Sequence, residues 1–180
     1  MLAAGAFGVN IEDGLYGGES PLRPVAGQAA RIAAARAAAD AAGVPLFVNA
    51  RVDTYLRGAG GTADTPERAA AFLAAGADGV FVPGAVDPVT VKALAEGIEG
   101  PLNVLAGPGA PTVAELAALG VARVSAGSGV VQAVRGPVRR AVRELLVAGT
   151  YEALSGGLDH EELNGLPGAG RRPPRGGSGR

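Results

Sequence analysis

Leu46-Phe47-Val48-Asn49-Ala50-Arg51-Val52-Asp53 begins apolar and ends ionisable. A continuous apolar start is the mark of a strand covered on both faces, as in a parallel sheet. Alternation along that strand places Asn49, Arg51 and Asp53 on one side. The same format recurs along the chain in Phe7-Gly8-Val9-Asn10-Ile11-Glu12, Gly79-Val80-Phe81-Val82, Leu102-Asn103-Val104-Leu105 and Ala122-Arg123-Val124-Ser125. Ala-rich segments separate these runs. Val25 to Ala42 reads as a helix stopped at Gly43, and Thr65 is expected to cap a helix that has Pro66 in its first turn and ends near Ala75. Asp87-Pro88 opens a helix through about Glu96, Thr112 to Leu119 forms another, and a further one starts near Val130. Pro137 leaves that last segment as one kinked helix or two.

Strand centres lie about 30 residues apart, the spacing of βαβ units. Such units build either an open doubly wound sheet or a closed barrel. The first would carry a Gly-rich phosphate turn after its opening strand. Here polar residues instead close several strands: Glu12-Asp13, Arg51 with Asp53, and Ser125. Active sites assembled from several strand ends belong to the barrel. A complete barrel has eight strands in roughly 250 residues, and only five are read here. The expectation is an α/β chain forming the C-terminal part, about five βα units, of a TIM (β/α)8 barrel with its N-terminal strands missing. Residues 1–164 would form this partial domain, and 165–180, rich in Gly, Pro and Arg, a disordered tail.

The totals restrict the chemistry. The chain is 48% hydrophobic and 18% charged, a folding composition. Lys+Arg number 16 and Asp+Glu 17, so nothing points to nucleic acid or an anionic membrane. Fifteen of the sixteen basic residues are Arg, which we read as coding bias. Without cysteine there are no disulfides and no thiolate ligands, and the single histidine, His160, excludes a multi-imidazole zinc site. A metal would have to be held by oxygen, as Mg²⁺ or Mn²⁺ is. We read no signal peptide and no long apolar span in these residues, and expect a soluble, cytoplasmic protein.

Glu12-Asp13 directly follows a strand, so one carboxylate should face the barrel mouth and suit a divalent cation; alternatively Asp13 caps the next segment and Glu12 pairs with an Arg. Arg51 can bind a carboxylate or phosphate through two parallel bonds, or be held by Asp53 or Glu12 until a substrate displaces them. Gly14 to Arg23, with three glycines, reads as a mobile lid or as an ordinary connection. Phe81-Val82-Pro83-Gly84 offers no ionisable group, and His160 reads as a surface residue.

Taken in order, four segments resemble the isocitrate lyase/phosphoenolpyruvate mutase superfamily, in its phosphonomutase-like branch. They are Gly5 to Asp13, Leu46 to Leu56, Ala75 to Gly84 and Gly120 to Ser125. The resemblance implies a barrel enzyme that cleaves or rearranges C–C or P–C bonds of a small 2-oxo or 2-hydroxy carboxylate or phosphonate, through an Mg²⁺-stabilised enolate. It implies that Glu12 holds the metal, often through water, and that Arg51 anchors substrate. Glu12 and Arg51 are the implied catalytic pair, and Asn49, Asn103, Gly17 and Gly18 the implied further substrate contacts. It also implies a homo-oligomer, through exchange of a C-terminal helix. Lyases of the family carry Lys-Lys/Arg-Cys-Gly-His in the gating loop, a Glu where this chain has Pro83-Gly84, and an Asn at the place of Leu105. Their absence here argues against isocitrate or methylisocitrate cleavage, with Asn103, two residues earlier on the same face, as the substitute. Strands one to three, which supply the family's metal-binding aspartates, are not in this sequence. Three readings follow: a family enzyme in its full-length form, with this chain alone inactive; a truncated non-catalytic remnant or interaction protein; or an anion-binding α/β protein.

Overall fold

In the computed structural model, which describes residues 2–17 and 19–166, every strand pairs with the next strand in the sequence. The strands are β1 (Gly8–Glu12), β2 (Phe47–Arg51), β3 (Gly79–Val82), β4 (Leu102–Leu105) and β5 (Arg123–Ser125), all parallel in the order β1-β2-β3-β4-β5. An unbroken order with right-handed crossovers sends every connecting helix to the same face. A doubly wound sheet would reverse direction and place helices on both. The five strands and the helices between them therefore form an arc of the barrel expected from the strand ends.

The connecting helices are α1 (Val25–Ala41), α2 (Asp64–Ala74), α3 (Pro88–Gly97) and α4 (Val113–Ala118). Val48, Ala50, Val52, Val80, Val82 and Val104 point under them and are almost fully buried, together with Ile32, Phe72, Leu94 and Leu116 from the helices. The opposite face carries the alternate residues. There Asn49 donates to Asn10 at 2.8 Å and Ser125 donates to Asn103 at 3.1 Å, so both pairs bridge neighbouring strands. Phe47 reaches across β3 on this face because Gly79 has no side chain; a Cβ there would meet the Phe47 ring at 3.2 Å. Arg123 stacks on the same ring, 5.5 Å from its centroid.

Two caps follow the sequence. Asp87 accepts from the Thr90 amide at the start of α3, and Thr112 and Glu115 form a reciprocal capping box on α4. Thr65 is a correction: it lies inside α2, whose N-cap is Ala63, and its hydroxyl meets that of Thr54 at 2.6 Å. A buried hydroxyl with a partner at that distance is satisfied without the helix terminus.

The chain divides into two compact units, Met1–Gly129 and Val130–Arg180. The second is built around α5 (Gly129–Val147), one continuous helix that contains Pro137, followed by the short α6 (His160–Gly165). Within it Glu144 accepts from the Thr150 hydroxyl and from the amides of Glu152 and Ala153, closing the turn after the helix. Gly165, read as the first residue of a tail, closes α6, and residues 167–180 lie outside the described residues. Among the described residues no helix is long and apolar enough to cross a membrane.

Candidate functional site

At the C-terminal ends of β1 and β2 the register sets Glu12 beside Arg51. Arg51 donates from Nη1 to Glu12 Oε2 at 2.9 Å, from Nε to Asp53 Oδ1 at 2.7 Å and from Nη2 to Asp53 Oδ2 at 3.3 Å. Both internal pairings read from the sequence thus occur together. Burial would lower the Arg51 pKa, but the hydrogen bonds and charge of Asp53, with Glu12 behind them, prevail and raise it. Asp53 is completely buried, whereas the Glu12 side chain keeps about a third of its surface open. The aromatic face of Phe81 closes the guanidinium on the β3 side, 5.9 Å from its ring centroid.

Asp13 is a strut. One oxygen accepts from the Asp53 amide at 2.9 Å, and the other accepts from Arg68 Nε at 2.8 Å. Arg68 also donates to the Arg23 carbonyl, so α2 grips both ends of the segment between Asp13 and Arg23. Burial dominates the Asp13 carboxyl and raises its pKa, against the bonds from Asp53 and Arg68. Sequence reasoning missed Arg68, since an Arg in an Ala-rich helix looks like a solvated surface residue. Gln28 and Arg31 fix the same strand end from α1, donating to the carbonyls of Ile11 and Glu12.

Residues 13–17 and 19–23 run out from the strand end and back as a short tongue. Gly14 and Leu22 make an antiparallel bridge, the Leu15 amide donates to Pro21 O, and the Arg23 amide donates to Asp13 O. Gly17, at the tip, has φ +90°, a conformation that suits glycine. Gly18 lies outside the described residues. Of the other sequence candidates, Asn49 sits two residues below Arg51, tied to Asn10 and 2% exposed. Asn103 pairs in register with Phe81, so one strand separates it from Arg51. The structure brings Glu12, Arg51 and Asp53 together and leaves both asparagines apart from that cluster.

The carboxylates of Glu12 and Asp53 pair with Arg51 and that of Asp13 with Arg68, while Arg31 reaches the same strand end through the Glu12 carbonyl. Among the described residues no group of three acidic or histidine side chains is placed to hold a metal ion. Glu12 fits one position in the shell of an ion such as Mg²⁺, which keeps most of its waters and takes one or two carboxylates. Asp13 and Asp53 do not fit, because their oxygens are already engaged and buried.

The profile of the phosphoenolpyruvate phosphomutase family matches residues 1–146. The chain belongs to the phosphoenolpyruvate phosphomutase family. Among relatives of this family member, an uncharacterised Mycobacterium tuberculosis H37Rv protein is 47% identical over 123 residues, covering 67% of this chain and 44% of the relative. A Burkholderia cenocepacia J2315 protein assigned as a lyase/mutase superimposes with a TM-score of 0.83 at 35% identity, over 91% of this chain and 60% of that one. A phosphonopyruvate hydrolase solved with oxalate and Mg²⁺ superimposes with a TM-score of 0.73 at 28% identity, over 91% and 59%. This family member therefore spans less than two thirds of the length of each of these relatives.

Proposed function

We propose that these residues form part of an enzyme that cleaves or rearranges a C–C or P–C bond in a small 2-oxo or 2-hydroxy carboxylate or phosphonate. The observation that carries this reading is Arg51, a guanidinium at a strand end held between Glu12 and Asp53 with two N–H groups left over for an oxyanion. Arg51 is the substrate anchor, and Glu12 is the acidic residue that would hold Mg²⁺ or Mn²⁺ through water. When bound, such an ion supplies charge stabilisation for a developing enolate. Asn49 and Asn103 act as substrate contacts only at the depth of the barrel, and Gly17 as part of the covering tongue. The oxalate–Mg²⁺ complex of the phosphonopyruvate hydrolase supports the same ligand class. A soluble, cytoplasmic homo-oligomer is the form in which we propose it acts.

Oxalate titration by calorimetry, with and without Mg²⁺, tests the reading. Binding is expected only with the metal, and Arg51→Gln should weaken it by roughly 30-fold or more, the usual cost of breaking a buried charged contact. Equal binding without Mg²⁺ would instead favour a metal-independent anion-binding protein, a second reading supported by the lone fitting carboxylate, Glu12. Oxalate binding indifferent to Arg51 would rule out both.

A further inference from the structure

The strand ends divide into a charged side and a neutral one. Glu12, Asp13, Arg51 and Asp53 close β1 and β2. By contrast residues 80–86, 102–114 and 124–129, which contain the ends of β3, β4 and β5, include no ionisable side chain. Arg123, the one basic residue on these three strands, stacks on Phe47, the first residue of β2, and so turns away from that end. Asp87, the next acidic residue after β3, is engaged as the cap of α3.

On the inner face the neutral side presents Phe81 and Leu105. Phe81 is the register partner of Arg51, and its ring faces the guanidinium. Leu105 stands one strand further round, two residues beyond Asn103 and paired with Ser125. The loop after β5 lies against it: a Cβ on Gly127 would stand 2.9 Å from Leu105 Cδ1. The Ser125 hydroxyl is turned down the strands, donating to Asn103. The loop after β3 is fixed as well, since a Cβ on Gly84 would meet Leu56 N at 3.0 Å and Tyr55 C at 3.2 Å.

A small acid held by its carboxylate on Arg51 has two directions along the sheet. Toward β1 it meets Glu12, which repels a second negative charge. Toward β3 it crosses the Phe81 ring and reaches Leu105, whose strand lies two spacings, or about 10 Å, from β2. A second carboxylate on that path would shed water and find no cation in exchange, an unfavourable state. An alkyl arm gains by the same transfer, because its carbon surface leaves water against Phe81 and Leu105.

We propose that Phe81 and Leu105 form an apolar subsite for the arm of the substrate. Leu105 sets the specificity, favouring an uncharged alkyl arm over one that ends in a second carboxylate. This selection rests on the anchoring role proposed for Arg51, and it narrows the substrate class to acids with an apolar arm.

Displacement of oxalate from the full chain with Mg²⁺, read by calorimetry, tests the subsite. Two 2-hydroxy acids of the same hand serve as probes: 2-hydroxy-4-methylpentanoate and malate differ only in an isopropyl group against a carboxylate. The first should bind at least about tenfold more tightly than malate. Leu105→Asn, close to leucine in size, should abolish that preference, Leu105→Arg should turn it toward malate, and Leu105→Met should keep it. Should Leu105→Arg fail to fold, Leu105→Asn and Leu105→Met decide the matter. Malate bound as tightly as the alkyl acid by the wild type would overturn the proposal, and so would a preference that survives in Leu105→Asn. Oxalate binding that neither acid displaces overturns it too, while leaving Arg51 as the anchor. A wild type that does not bind oxalate removes the anchor and the subsite together.

Discussion

A methyl group on Gly14 would have to share space with Asp53 Oδ2, 2.5 Å from where its carbon would stand. Neither side can give way easily, because Asp53 is buried and bonded at both oxygens. Gly14→Ala should therefore destabilise the fold by about 1–3 kcal/mol, the usual cost of overpacking, as read by urea unfolding. Asp13 makes a prediction in pH. Its carboxyl pKa is raised in the fold, mainly by burial, so the folded chain holds that proton at pH values where the unfolded chain has lost it. The Asp13 contribution to stability is then greatest below the ordinary carboxylate value of 3.8 and declines as pH rises through the raised value. Asp13→Asn should remove that decline, so urea midpoints of the two proteins should diverge in slope across the acidic range; parallel profiles would refute it. Glu12, Arg51 and Asp53 were legible in the sequence because ionisable residues at the end of an apolar strand have few places to point. The Asp13–Arg68 strut was not, since its partners are 55 residues apart and only the stacking of α2 on the sheet unites them.

At the scale of elements, local chemistry fixed some boundaries and tertiary contacts fixed others. Asp87-Pro88 and Thr112-Val113-Ala114-Glu115 carry their caps within four residues, and both helices begin where those residues say. Thr112→Ala should cost about 1 kcal/mol by loss of the capping box, measured by thermal or urea unfolding. Thr65 looked equally suitable, yet its hydroxyl faces Thr54 across the loop, a contact with no signature in the sequence. Thr65→Ser, which keeps that hydroxyl, should be milder than Thr65→Val, which leaves Thr54 without its buried partner. Near the end of α5, Glu144 binds three donors from the turn that follows, and its pKa is lowered first by the Thr150 hydroxyl and then by the Ala153 amide. A lowered carboxylate stabilises above its unfolded value and loses that effect as pH falls through the folded one. The turn at residues 150–153 should accordingly open only in acid below the ordinary carboxylate value of 4.5, and Glu144→Gln should open it at neutral pH, both seen as faster amide exchange at Glu152 and Ala153.

For the molecule as a whole, the sheet has two outer strands, β1 and β5, each paired on one side only among the described residues. Phe7 is 84% exposed beside β1, and Val134, Val138, Val142 and Leu146 are exposed along α5. Unpaired strand edges and apolar helix faces promote association. The chain should sediment as concentration-dependent assemblies and bind a hydrophobic dye, whereas a dye-free monomer with a single sharp melt would count against this. The five βα units and their parallel order were legible because apolar runs and glycine stops recur at a fixed interval, but the order of strands alone says nothing of how neighbours align. Valine, alanine and leucine tolerate misalignment, since one apolar residue replaces another. Asn10 with Asn49, and Asn103 with Ser125, do not: a one-residue slip would thrust an amide among Val48, Val80 and Val104 beneath the helices. These two pairs work as a checksum on assembly, so that an arc with β1, β2, β4 or β5 out of step carries its own error signal, independent of anything the finished protein binds.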